Sequence, residues 1–478
     1  MHRIFLFITL SFTMPWLSSV FARQANPAWL SKELSFEKNP SQADTLNAKL
    51  HSYGTFEGHL RSFSMATVNH EDFLDYYAQG VGAGLGYYSP VIKNFQVAVS
   101  GFFTYNLASS TLSNQPPFNN RYEVGLFDVL NPDNRSDLGR VENLYLRYVL
   151  SAKSKSYIQV GKFGIKTPMM NPQDGRMMPN LQEGVWTDIN EWKKIKLKGG
   201  WLWGTSPRST VTWLSIGESI GVYPVGRAVN GAKAEYVGRL SLPGIAIAGI
   251  TYLPVKTFQV NAWNYTIPKL FTTSLLNGEW TKETNASKWS LGGQYLFQQS
   301  LYQADLPIEQ QYISEGEQAH AFGLKIGWAN LSTKTGWSLN YTRIAATGRF
   351  LFPREWGIEP FFTFMNRERM EGAGDVHAVT VKNTQFLDEN KRFSLQSMAG
   401  VFSMPALDSP ALNKYNMPSF YQLNVRAKYN FDGFLRGLQA DLMYVYKGAL
   451  EKDLPETPAN FHNKVDMHHI SLVFDYNF

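Results

Sequence analysis

The chain ends in His468-His469-Ile470-Ser471-Leu472-Val473-Phe474-Asp475-Tyr476-Asn477-Phe478. Ile470, Leu472, Phe474, Tyr476 and Phe478 fall on every second position, with Ser471, Asp475 and Asn477 between them. A period of two places one set on each face of a β-strand. A terminal aromatic, with another two residues earlier, suits a strand whose outer face crosses lipid and whose tip rests in an interfacial girdle. Such a strand cannot stand alone, because each unpaired backbone N–H or C=O in hydrocarbon costs several kcal/mol. The first strand must therefore pair with the last, and the chain between them must close a ring.

Composition agrees. Of 478 residues, 18% are charged and 14% aromatic. Scarce charge and plentiful aromatics are expected when one face of every strand meets lipid. Mean hydropathy stays negative, at −0.26, because the other face meets water. The formal net charge is +6, a modest excess whose placement matters more than its size. With no cysteine, disulfides and thiolate metal sites are excluded.

At the N-terminus, Met1-His2-Arg3 precedes an apolar run from Ile4 through Leu17 and a small-residue site ending at Ala22. This patterning predicts a signal peptide over 1–22, cleaved after Ala22 on export. Residues 23–54 read as a polar periplasmic lead-in, and 55–478 as a single all-β domain, a transmembrane antiparallel β-barrel.

Alternation begins at Thr55, with Glu57, His59 and Arg61 on one face and Phe56 and Leu60 on the other. In Tyr76 to Tyr88, Val81, Ala83, Leu85 and Tyr87 point outward while Gly80, Gly82, Gly84 and Gly86 clear the inner face for something to lie against. Further alternating runs continue to residue 478, with 208–215 and 233–253 counted among them, for about eighteen strands. Short turns alternate with long loops, as in outer-membrane barrels whose long loops face outside. A separate plug domain has no room in the chain.

A ring of this size leaves an aqueous lumen, so function depends on what narrows and charges it. The loop 166–192 contains Thr167-Pro168-Met169-Met170-Asn171-Pro172-Gln173-Asp174-Gly175-Arg176-Met177-Met178-Pro179. Two methionine pairs favour burial and the prolines hold an extended path, so the loop is expected to fold into the lumen. Asp174, Arg176, Met177 and Met178 would then form the pore constriction. The alternative is a packed Ω-loop on the surface. By alternation, Lys194, Lys196 and Lys198 stack along the inner wall at ~6.6 Å spacing. Arg61, Arg147, Lys325, Arg426 and Lys428 point inward on their own strands. Such a basic lumen track concentrates anionic solutes; the plainer reading is a set of ordinary solvated lumen residues. Loop 348–374 adds Phe350, Trp356, Phe362, Arg354, Arg367 and Arg369, as a second side of the constriction or an outer cap.

Tyr77-Ala78-Gln79-Gly80, Val160-Gly161-Lys162 and Asp174-Gly175-Arg176-Met177-Met178-Pro179 resemble motifs of the OprD-type outer-membrane porins, substrate-specific diffusion channels of Gram-negative bacteria. The motifs cover about residues 55–190 and the last strand; the layout covers nearly the whole chain. The resemblance implies eighteen strands, an inward third loop, a basic ladder guiding carboxylates, and uptake of amino acids, short peptides or small organic acids. The chain departs from the family pattern in the methionines after Arg176 and in lysines that partly replace ladder arginines, so no substrate is carried over.

The expectation is a passive diffusion channel in outer-membrane lipid, not an enzyme, needing no cofactor or metal and binding no nucleic acid. The ring is compatible with a monomer or a homotrimer. His468 and His469 are adjacent in a strand and point to opposite faces, so they cannot share a metal. His-Glu-x-x-His and phosphate-loop motifs do not occur. The competing reading is an outer-membrane barrel enzyme or adhesin without channel activity.

Overall fold

The computed structural model describes residues 53–478 apart from 71–72, 173–174, 304 and 452. The expected signal peptide, most of the lead-in and Asp174 therefore lie outside the described residues. The strands open with β1 (Thr55–Val68), β2 (Tyr76–Tyr88), β3 (Phe95–Ser109), β4 (Leu138–Ser151) and β5 (Ser156–Phe163). Next come β6 (Leu181–Ile189), β7 (Ile195–Ser206), the two-residue β8 (Leu214–Ser215), β9 (Ile245–Val255) and β10 (Phe258–Ile267). β11 (Phe271–Glu283), β12 (Ser287–Ser300), β13 (Gln318–Asn330), β14 (Thr335–Ile344) and β15 (Val376–Phe386) follow. β16 (Phe393–Ser403), β17 (Phe420–Asn430), β18 (Leu438–Ala449) and β19 (Met467–Asn477) complete the set.

Every strand but β8 is a stave, paired antiparallel with the staves beside it, and β7 pairs with β9 across the short β8. The ring closes where β1 meets β19, with His59 opposite Asn477 and Val68 opposite His468. Gly58 and Phe478 exchange backbone hydrogen bonds of 2.8 and 3.0 Å. A Cβ on Gly58 would come within 2.3 Å of the Phe478 ring, so the terminal aromatic lies flat on the seam. Closure leaves no strand edge in lipid.

The stave total matches the expectation through two offsetting corrections. Leu181–Ile189, expected within a loop reaching 192, is the stave β6, and the inward loop spans 164–180. The run 208–215, expected as a stave, is loop except for β8. Of 233–253, only the part from Ile245 is strand.

Outward positions are exposed and apolar, among them Leu85, Val97, Leu144, Leu324, Val401 and Leu423. Near the long-loop ends of β13, β15 and β19, outward histidines pair with tyrosines diagonally across the hairpin. Tyr295 reaches His320 Nδ1 at 2.9 Å, Tyr341 reaches His377 Nδ1 at 2.8 Å, and Tyr444 reaches His468 Nδ1 at 2.7 Å. Amphipathic rings at that level suit an interfacial belt. Turns at the opposite end are tight: Lys93 and Asn94 both take positive φ in the turn from Ile92 to Phe95, as a two-residue hairpin turn requires.

Candidate functional site: a pore constriction

The glycine-cleared wall of β2 is occupied as expected. A Cβ on Gly82 would lie 2.4 Å from the Phe102 ring, and one on Gly80 would lie 3.2 Å from Phe127 and 3.3 Å from Met177. Met169, Met170, Met177 and Met178 are all buried. The loop 164–180 crosses the lumen, tied to inward side chains on several staves. Arg61 on β1 donates Nη1 to the Arg176 carbonyl oxygen at 2.7 Å, and Arg140 on β4 donates Nη2 to the Pro179 oxygen at 2.7 Å. From the other side, Tyr265 on β10 donates its hydroxyl to Thr167 Oγ1 at 2.9 Å. The surface Ω-loop alternative does not hold.

Loop 345–375 forms the second side. Its Pro360 oxygen accepts from Gln294 on β12 at 2.8 Å, and its Phe364 oxygen accepts from Lys382 Nζ on β15 at 2.8 Å. The Asn366 oxygen accepts from Gln422 on β17 at 2.8 Å, and Glu368 pairs with the buried Lys447 of β18. Asn171 joins the two lumen loops, donating its N–H to the Trp356 oxygen at 3.2 Å and accepting from Ile358 at 3.1 Å. Arg367 also approaches the opposite loop: a Cβ on Gly175 would lie 3.6 Å from its Nη1.

Above this meeting point lies an open cavity of about 100 Å³ lined by Arg121, Arg176, Arg208, Arg354, Arg367 and Arg369, with Tyr122, Tyr223, Phe364 and Glu368. Below it is a smaller one of about 30 Å³, bordered by Gly175, Arg367, Arg426, Asp441 and Asp475. Arg367 borders both. Among the described residues the one carboxylate on the upper lining, Glu368, is already paired with Lys447. Burial, then the neighbouring Arg208 and Arg367, hold Arg176 well below the ordinary arginine value. Burial and nearby Arg208 likewise push Arg367 and Arg369 down to about 10. Arg367 and Arg369 stay protonated near neutrality, and an anion beside the three arginines would favour their charged forms.

Most bases of the expected track have partners on the wall. Lys194 lies in the bend just before β7 and is exposed. The others named on strands are inward by alternation, but most hold carboxylates or amides. Arg61 pairs with Asp475 at 2.6 Å and Lys198 with Asp188 at 2.8 Å. Lys325 meets Glu279 at 2.8 Å, while Arg426 and Lys428 share Asp441 at 2.5 and 3.1 Å. Arg147 donates to Gln159 at 2.7 Å and packs on the Tyr157 ring, 4.1 Å from its centroid. Lys196 remains exposed. A barrel interior makes such pairing inevitable, since facing staves bring acids and bases of distant sequence to hydrogen-bonding distance. Arg121, Arg208 and Lys382 were not singled out from sequence. The two arginines are in irregular loops where no periodicity reports direction, whereas Lys382 is inward by the alternation of β15.

Residues 125–316 match the family model described as outer membrane porin, OprD family. The fold is similar to OccAB2 of Acinetobacter baumannii, with a TM-score of 0.69 and 12% identity, covering 89% of this chain and 98% of that one. It is also similar to OccAB3 of Acinetobacter baumannii, at TM-score 0.68 and 15% identity, covering 89% and 99%. OpdK of Pseudomonas aeruginosa, solved with vanillate, gives a TM-score of 0.64 and 15% identity over 88% and 98%. Comparison with curated proteins found no match. The structural likenesses bear on fold alone, and they agree with the closed barrel; by sequence, residues 125–316 link this part of the chain to the OprD family of outer-membrane porins.

Proposed function

We propose that this porin is a passive, anion-favouring diffusion channel for small carboxylates, with the narrows between loops 164–180 and 345–375 as its selective element. The observation that carries this reading is the crowd of arginines around the upper cavity, contributed by four loops. Guanidinium groups bind carboxylates through paired N–H donors, and buried like charges gain most from an incoming anion. Tyr122, Tyr223 and Phe364 beside them offer apolar faces for the rest of a small organic acid. OpdK, of the same fold, was solved with vanillate, itself a carboxylate. Asp174 would balance Arg176 and keep a zwitterionic amino acid or short peptide within the substrate range. The strand-borne bases, mostly paired, act as a hydrated wall that steers solute rather than selects it.

Passage needs no energy coupling and no bond-making step. The chain works in the outer membrane after export and cleavage following Ala22, as a monomer or a homotrimer. Purified full-length protein in planar bilayers should give discrete conductance steps. In liposome swelling, small carboxylates should enter faster than neutral sugars of equal size. Absence of steps, or equal rates for charged and neutral solutes, would overturn the reading.

A further inference from the structure

We infer that His469, on the barrel wall, is a positioning residue that aims Arg367 into the narrows through a one-way hydrogen-bond relay completed by barrel closure. The inference rests on the functional reading above, which makes Arg367 part of the selective element. Arg367 Nε lies 2.9 Å from His469 Nε2, and His469 Nδ1 lies 2.9 Å from Thr67 Oγ1. Thr67 Oγ1 in turn lies 2.6 Å from Glu123 Oε1. A guanidinium nitrogen can only donate, so His469 Nε2 must accept. The imidazole then carries its proton on Nδ1 and donates it to Thr67, whose own hydroxyl proton goes to Glu123. Each direction follows from the arginine, and no second arrangement satisfies all four groups.

Thr67, His469 and Glu123 are fully buried, so a broken link would leave an unpaired polar group out of reach of water. Thr67 and His469 lie directly opposite each other in the β1–β19 pairing. They come from the two ends of the barrel sequence and meet only once the ring has sealed. Tyr122 completes the clamp: its ring is 5.2 Å from the His469 ring and its hydroxyl donates to the Arg367 carbonyl oxygen at 3.5 Å. Arg367 itself takes a positive φ of 71°, a backbone state that needs holding by its surroundings. The loop thus presents its arginine at an angle set from the wall, 3.6 Å from where a Cβ on Gly175 would be.

The test is the chloride-to-potassium permeability ratio from reversal potentials, measured on full-length protein in planar bilayers. Arg367→Leu and His469→Leu should each lower the ratio by about threefold, the loss of one focused charge at the narrows. The double variant should fall no further than Arg367→Leu alone, because both act through one guanidinium. His469→Gln, whose amide supplies one acceptor and one donor, should restore most of the ratio. Should His469→Leu fail to assemble, Thr67→Val removes the acceptor for Nδ1–H and should lower the ratio in the same way. An Arg367→Leu effect that neither His469→Leu nor Thr67→Val shares, additive losses, or no rescue by glutamine would overturn the relay alone. An unchanged ratio in Arg367→Leu would overturn the functional reading, and the relay with it.

Discussion

Arg61 and Arg176, two residues of like charge, meet through the backbone: the Arg61 guanidinium donates to the Arg176 carbonyl oxygen at 2.7 Å while its other nitrogens hold Asp475 at 2.6 and 3.1 Å. The wall thereby holds the loop by its backbone, while the Arg176 side chain lines the cavity. Arg61→Met should cost about 3–5 kcal/mol, because it strands a buried carboxylate that His59 alone would serve. Arg61→Met combined with Asp475→Leu should recover most of that loss. Urea unfolding in lipid vesicles, followed by tryptophan fluorescence, measures both; equal losses in the single and double variants would contradict the assignment. Single-channel records of Arg61→Met should also show noisier open states as the loop loosens.

The glycine wall of β2 makes a steric prediction. Gly82→Val drives carbon into the Phe102 ring and should destabilise by about 1–3 kcal/mol, as overpacking does. Gly80→Val presses on Met177 and should additionally change single-channel conductance if, as proposed, loop 164–180 narrows the pore. Gly293, whose Cβ would meet nothing within 4 Å, is the control, and Gly293→Val should stay within about 0.5 kcal/mol of the parent. Indistinguishable conductance for Gly80→Val and Gly293→Val would show that the wall does not shape the pore.

Charge reversal separates wall from narrows. Lys196→Glu with Lys198→Glu should move the chloride-to-potassium permeability ratio by less than about twofold, because Lys198 is already neutralised by Asp188 and Lys196 is exposed and hydrated. Arg367→Leu with Arg369→Leu should move it by more. A larger effect from the lysine pair would place selection on the wall of β7.

The buried Lys414 gives a pH prediction. Its Nζ is 4.5, 5.0 and 5.4 Å from the ring centroids of Tyr312, Tyr236 and Tyr415, where three loops pack. Burial pushes its ammonium down to about 8 from 10.5. Between those values the unfolded chain keeps a proton that the folded protein has shed, so stability rises with pH across that window. Below about 8 the cost of the buried charge is fully present. Lys414→Met should therefore be more stable than the parent at pH 7. Its advantage should shrink by about 1.4 kcal/mol per pH unit from 8 to 10.5. Thermal unfolding of both proteins across that range measures it; a constant difference would rule the titration out.

The barrel was legible because lipid and water write opposite preferences onto alternate residues. The last strand shows this most plainly, with His468 outward and His469 buried as their adjacency demands. Where that signal fades, strand assignment failed. β6 mixes Gly184 and Trp186 on its inner face and offers little outward beyond Val185. Residues 208–215 alternate like a strand yet fold as a loop, where Trp213 donates to the Val141 oxygen on the outer wall at 3.1 Å. The inward fold of loop 164–180 was also legible, from its methionines, prolines and the cleared glycines opposite.

By itself the sequence determined a sealed ring of strands and a loop too apolar for water, since both follow from solvent preference along a short stretch of chain. Tertiary structure alone decided which charged side chains meet. Asp188, Asp441 and Asp475 pair with wall bases across neighbouring staves, Glu279 reaches Lys325 across the stave between them, and Arg208 and Arg367 join Arg176 only where separate loops converge. Coulomb interaction depends on distance in space, and closure of the ring sets those distances.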